Sequence, residues 1–189
     1  MNIVTTLITG LCAYIIGAIP TGYIIARYKG INDIRNHGSG NIGATNVSRV
    51  LGLHYFFIIF LLDAGKAFFF IHAIKPYFDF DYLCIFASIL LFGNGCSIFL
   101  HGTGGKGVAT VAGLINALHP ITAIVLFCVW SCIMIITRTV GMASVGAIIC
   151  LPLCAYATTN QFSFFLFSLF AALWIVHSHR SNICAYWKK

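Results

Sequence analysis

Glutamate is absent from this chain, and four aspartates are its only acidic residues. Charged residues make up 8% of the 189 positions, against the roughly quarter to a third that a water-facing surface carries. That excludes an ordinary soluble domain. With 60% hydrophobic residues and a mean hydropathy of +0.95, the solvent for most of the chain is lipid. A C-x-x-C pair is also missing. The eight cysteines are Cys12, Cys84, Cys96, Cys128, Cys132, Cys150, Cys154 and Cys184. Cys128/Cys132 and Cys150/Cys154 stand at i, i+4, but no His or carboxylate shares their runs, so they read as small packing hydrophobes. No basic segment precedes the first apolar run, whose first positive charge is Arg27, so the segment up to Pro20 reads as a retained anchor rather than a cleaved signal peptide.

What is present is a series of apolar windows. They predict spans at residues 3–26, 53–74, 82–100, 108–118, 121–136, 140–158 and 162–177. The fourth is too short to cross at ~1.5 Å per residue, which makes it a half-helix or one arm of a bent element over 107–136, and leaves counts of five or six open. With seven spans and the N-terminus outside, Arg27, Lys29, Arg35, Arg49, Lys106, Arg138, Arg180, Lys188 and Lys189 fall on one side and only Lys75 on the other. Positive loops stay cytoplasmic. The expectation is an all-α integral membrane protein of about seven transmembrane helices, one of them a candidate half-helix, N-terminus out and C-terminus in. The same sorting accounts for the net charge of +7, so nucleic acid is not an expected partner.

Two glycine-rich polar strings interrupt the apolar windows. The first, GSGNIGATNVSR (38–49), offers Gly38, Gly40 and Gly43, which let the backbone turn its N–H groups toward one point, together with Ser39, Asn41, Thr45, Asn46 and Arg49. An Arg fork with backbone amides matches a phosphate, and no carboxylate lies in the string to repel one. A solvated turn between helices is the competing reading. In the second, HGTGGKGVAT (101–110), Gly104, Gly105, Lys106 and Gly107 run into an apolar helix-like segment, which sets unpaired N–H groups and the positive dipole end beside a lysine. It is not a Walker A loop: Leu100 stands where the first Gly belongs and Gly107 where a Ser or Thr would bind magnesium.

A third polar cluster closes the last span. His179 and Asn182 there are i, i+3, and the His can position, protonate or deprotonate a substrate, or simply cap a basic helix end. Ser144 is a lone hydroxyl in the sixth span, as readily bonded to its own helix as to a ligand. Asp63 and Lys66 lie inside an apolar span at i, i+3, so each neutralises the other. Intramembrane charge points to function by default, and a self-paired group that fixes helix packing is the alternative.

The ordered set GAIPTG (17–22), GSGNIGATN (38–46) with Arg49, Asp63-x-x-Lys66, GGKGVAT (104–110), Ala143-Ser144 and His179-x-x-Asn182-Ile183 resembles the bacterial acyl-phosphate-dependent glycerol-3-phosphate acyltransferases commonly called PlsY. The resemblance covers nearly the whole chain. It implies a single transmembrane acyltransferase domain over 1–189 in the bacterial inner membrane, with the active site facing the cytoplasm. It would move a fatty acyl group from acyl phosphate to the 1-hydroxyl of sn-glycerol 3-phosphate, releasing lysophosphatidic acid and inorganic phosphate. A functional link to an acyl-phosphate-forming enzyme is also implied, and no cofactor or metal. By this resemblance Ser39, Lys106 and His179 are the candidate catalytic residues. Gly40, Asn41, Gly43, Thr45, Asn46, Arg49, Gly104, Gly105, Gly107, Ser144 and Asn182 are the candidate substrate-binding residues.

The chemistry agrees with the residues. Both substrates carry phosphate, and acyl phosphate is already activated, so alignment and oxyanion stabilisation suffice without a protein nucleophile. Gly-rich backbone amides, Asn46 or Lys106 can serve the oxyanion, with Arg49 and His179 on the glycerol phosphate. No Asp or Glu lies in the three clusters, so a phosphate oxygen of the donor accepting the hydroxyl proton is favoured over His179 as base. The chain departs from the family where a Gly-His-x-(Phe or Trp)-Pro string usually precedes the lysine loop: here it reads Gly93-Asn94-Gly95-Cys96-Ser97. A small phosphate or anion transporter is the alternative class. It would call for an internal repeat and a site near mid-bilayer, and no string repeats between the halves.

Overall fold

The computed structural model describes residues 2–187, so Lys188 and Lys189, counted above among the basic loop charges, lie outside the described residues. Among those described, every regular element is helical. The first span is not one rod. Helix α1 (Ile3–Ala18) ends at Ala18 and α2 (Thr21–Tyr28) restarts after Pro20, with a 40° bend between them. Proline has no N–H to continue the ladder, so the window expected over 3–26 is a broken rather than a straight helix. The first glycine-rich string follows, leading into α3 (Ala44–Leu51).

The remaining helices are α4 (His54–Ile74), α5 (Phe80–Gly95), α6 (Val108–Leu118), α7 (Pro120–Thr137), α8 (Val140–Thr159), α9 (Phe162–Ser178) and α10 (Arg180–Trp187). Of these, α4, α5, α7 and α8 are long and apolar enough to cross a membrane, and α1 with α2 as one bent span makes a fifth. Helices α6 and α9 are shorter apolar helices of 11 and 17 residues. The expected half-helix is therefore a helix of its own: His119 is extended (φ −150°), and Pro120 opens α7 as its first residue.

Helix α1 packs on α5, α4 on α6, and α8 on both α7 and α9. The closest approaches use glycine, since a Cβ on Gly17 would run into the Leu90 carbonyl and one on Gly113 into that of Ala64. Small residues let membrane helices approach closely where lipid offers no hydrophobic drive to association. A main core forms around Phe86, Leu90, Leu114, Leu151, Phe164 and Ile175. A second, smaller core of Ala26, Ile34, Ile42, Val47, Ile59 and Leu100 lies under the first string. Phe57, Leu61, Phe127, Ile135 and Ile136 stay exposed, as lipid-facing side chains do.

All three polar clusters gather at one end of the bundle. The Ser97 hydroxyl donates to the Ala18 carbonyl at 2.5 Å, the Gly105 amide to the Asn94 carbonyl at 2.9 Å, and the Ser178 hydroxyl to the Lys106 carbonyl at 3.4 Å. Gly141, at the start of α8, faces the Asn182 amide of α10. The end of α1, the loop after α5 and the ends of α8 and α9 thus meet.

Candidate active site

The first string is wound around Asn46. This buried side chain accepts from the Ser39 amide at 2.7 Å and donates to the carbonyls of Asn41 and His37 at 2.8 and 2.9 Å. Asn41 in turn accepts from the Gly43 amide at 2.7 Å, and the Gly40 amide donates to the His37 carbonyl at 3.1 Å. Part of the string is turned inward, while the amides of Gly38, Asn41, Ile42, Ala44 and Thr45 have no partner among the described residues. Gly40, Asn41, Gly43 and Asn46 use their polar groups on one another, because a short side-chain carbonyl competes for nearby N–H groups. Besides those amides, the string leaves open the exposed Ser39 hydroxyl, the Thr45 hydroxyl at the start of α3 and the exposed Arg49 guanidinium one turn on.

The second string is open. Gly104 lies against the backbone of Asn94 and Gly95, where a Cβ has no room. Gly107 has φ +89° and starts α6 with no side-chain cap. The amides of Lys106 and Gly107 have no partner among the described residues, and the first-turn amides of α6 have none inside the helix. The buried Thr110 hydroxyl is likewise unpartnered. Lys106 lies among these donors in sequence, and its ammonium contacts the Asn182 side-chain oxygen.

Electrostatics tie the clusters together. Burial lowers the Lys106 pKa below the ordinary lysine value, and the nearby Arg49 charge lowers it further. An anion between these two cations relieves both effects. Burial pushes His179 down to about 4, the Ile175 carbonyl opposes this and the Lys106 charge adds to it. His179 is therefore neutral near pH 7. Its Nδ1 lies 2.9 Å from the Ile175 carbonyl, so that nitrogen carries the proton and Nε2 is left as an acceptor. Ser144 is buried, donates to the Val140 carbonyl at 2.8 Å and accepts from the Trp130 indole at 3.2 Å. Its hydroxyl is satisfied within the helices.

Two residues were not singled out as site residues from sequence. Arg35, held by Asp33 at 2.7 Å, reaches the Thr103 hydroxyl at 3.0 Å and so joins the first string's loop to the second. The pairing pulls Asp33 down to about 2. Asn94 carries the second string on its backbone carbonyl. Neither contact has a local sequence signal. A groove of about 310 Å³ opens beside this end between Ile19, Pro20, Tyr23 and Ile24 on one wall and Phe99 and Leu100 on the other.

The family model of glycerol-3-phosphate acyltransferase matches residues 7–189. The chain belongs to that family. Glycerol-3-phosphate acyltransferases of Thermosynechococcus vestitus and Desulforudis audaxviator are 38% and 39% identical, over 95% and 94% of this chain and 92% and 89% of theirs. A crystal structure of PlsY, an integral membrane glycerol 3-phosphate acyltransferase in its glycerol 3-phosphate form, superposes with a TM-score of 0.90 at 35% identity. The match covers 95% of this chain and 90% of that one. The lysophosphatidic acid form gives 0.87 at 33% identity. This family member is an integral membrane acyltransferase.

Proposed function

We propose that this acyltransferase takes the acyl group from acyl phosphate and transfers it to the 1-hydroxyl of sn-glycerol 3-phosphate, releasing lysophosphatidic acid and inorganic phosphate. The observation that carries the reading is the pair of neighbouring cations, Arg49 close enough to lower the Lys106 pKa and Lys106 next in sequence to the uncapped start of α6. Two phosphate-bearing substrates need two anion sites held close enough for their reacting ends to meet. The second string, with Lys106, takes the acyl phosphate and supports the carbonyl oxygen as negative charge develops on it. Ser39, Thr45 and Arg49 take the glycerol phosphate, and Asn182 orients the Lys106 ammonium.

The step balances without a protein base. The 1-hydroxyl oxygen forms a bond to the acyl carbon, its proton passes to a phosphate oxygen of the donor, and the bond from acyl carbon to phosphate oxygen breaks. Neutral His179, with Nε2 as acceptor, suits orienting the glycerol hydroxyl. The groove along Pro20, Tyr23 and Phe99 suits the acyl chain arriving from lipid. The positive-inside sorting supports a site on the cytoplasmic face of the bacterial inner membrane, supplied with acyl phosphate by a separate enzyme.

The test is phosphate release by the purified, detergent-solubilised protein given palmitoyl phosphate and glycerol 3-phosphate. Release that needs both substrates, matches lysophosphatidic acid formed and is lost in Lys106→Ala supports the reading. Turnover from another acyl donor but not from acyl phosphate overturns it.

A further inference from the structure

We propose that the Asp63–Lys66 ion pair is a positioning device for glycerol 3-phosphate binding. It splices the broken ends of α1 and α2, and through α2 it fixes the loop that presents Ser39, Thr45 and Arg49. The inference rests on the acceptor-site reading above.

Lys66 Nζ lies 2.8 Å from Asp63 Oδ1, with side chains 10% and 14% exposed. An ammonium has three N–H donors, and the other two go to the carbonyls of Gly17 at 3.1 Å and Ile19 at 2.8 Å. Those carbonyls lose their helical partners where the chain breaks before Pro20, and the Ile19 carbonyl keeps one backbone donor, the Thr21 amide at 3.1 Å. Ser97 takes the Ala18 carbonyl between them, so three successive carbonyls at the break are met by side chains.

Asp63 performs the complementary task on the other stump. Its Oδ1 also accepts from the Thr21 hydroxyl at 2.7 Å, and Thr21 is the first residue of α2. A carboxylate there faces the positive end of the new helix. One pair thus caps the C-terminus of α1 with its cation and the N-terminus of α2 with its anion. A pair serving packing alone would leave two ammonium donors idle, and two apolar side chains would pack as well.

The link onward is direct. A Cβ on Gly22 would strike the Ile42 carbonyl, with Val47 next nearest, so no side chain separates α2 from the middle of the first string. Ala26 of α2 shares the small core with Ile34, Ile42 and Val47. Ile42 precedes Gly43, the residue that starts the helix bearing Thr45 and Arg49. A shift of α2 is therefore a shift of those two side chains.

The test uses the full chain in detergent, with Asp63→Leu/Lys66→Met as a double variant, and Thr21→Val beside Thr21→Ser. Radiolabelled glycerol 3-phosphate binding is read first because it needs no turnover, followed by kcat, both KM values and Tm. The double variant removes both charges together, so no lone charge is left buried. It should bind glycerol 3-phosphate about 20-fold more weakly, with the KM for the acyl donor changed less than about threefold. Thr21→Val should weaken binding about fivefold at unchanged Tm, and Thr21→Ser should restore it. Wild-type affinity in the folded double variant, or in Thr21→Val should the double variant not fold, overturns the positioning role. So does equal loss for both substrates in step with a lower Tm. No binding by the wild-type protein overturns the acceptor-site reading, and the positioning role with it.

Discussion

In the first glycine-rich string the amides of Ser39, Gly40 and Gly43 are consumed within the loop, two of them by asparagine side chains, whereas in the second those of Gly102, Thr103 and Gly105 go to backbone carbonyls outside the string, and those of Lys106 and Gly107 have no partner among the described residues. The compositions look alike, and the difference lies in two asparagines. Asn41 and Asn46 bring side-chain carbonyls to the first string, and GTGGKG carries no such acceptor. A glycine-rich loop with its own acceptors closes on itself and becomes a bracket for side chains. One without them leaves the amides at its lysine unpartnered and becomes a cradle.

The comparison breaks most severely at Gly104. Ala there puts a methyl into the Asn94 and Gly95 backbone, which no rotamer change relieves. Activity should fall by about 100-fold or more, with helical content by circular dichroism unchanged. Near wild-type turnover would mean the cradle tolerates a shifted backbone. Asn46→Ala comes next. It strips the bracket of its central side chain and leaves the His37 and Asn41 carbonyls without that partner, at a cost of about 1–3 kcal/mol. Thermal denaturation should show the loss, and activity should fall about tenfold or more, through the KM for glycerol 3-phosphate.

His179 gives a smaller effect. His179→Gln should keep kcat within about threefold and raise KM, since the proposed step asks no base of it. A collapse of kcat at saturating substrate would make it the base. Its ionisation also sets an acid limit: held down to about 4 in the fold against an ordinary 6.5, it contributes stability that is complete above 6.5 and lost as pH falls toward 4. Tm measured across that window should decline, and the decline should lessen in His179→Gln. Smallest of all should be Asn94→Ala, with activity within about threefold, because Asn94 carries the loop on its backbone carbonyl rather than its side chain. A large loss would show that the amide itself reaches a substrate.

The long helices were legible because their signal is length and apolarity. Windows read at 53–74 and 140–158 differ by a residue or so from His54–Ile74 and Val140–Thr159. The break at Pro20 was hidden by the apolar residues on either side of it, although the proline was in view. Helices α2, α3 and α10 escaped because eight residues carry too little periodicity to stand out. At the site, residue types pointed to Lys106, Arg49 and His179, and the Asp63–Lys66 pairing followed from i, i+3 spacing. The inward use of Asn46 did not, since whether an amide serves a ligand or its own loop depends on where the chain turns. Arg35 and Thr103 meet across 68 positions, which no local pattern encodes.

The small core of Ala26, Ile34, Ile42, Val47, Ile59 and Leu100 is packed apart from the main core. It packs under loop and short-helix backbone at the polar end of the bundle, where burial from water drives assembly and urea weakens it. The long helices below are held by close packing in lipid, where that drive is missing. Rising urea should therefore silence the enzyme while its helices stand, and removing urea should restore turnover without any membrane segment having to reinsert.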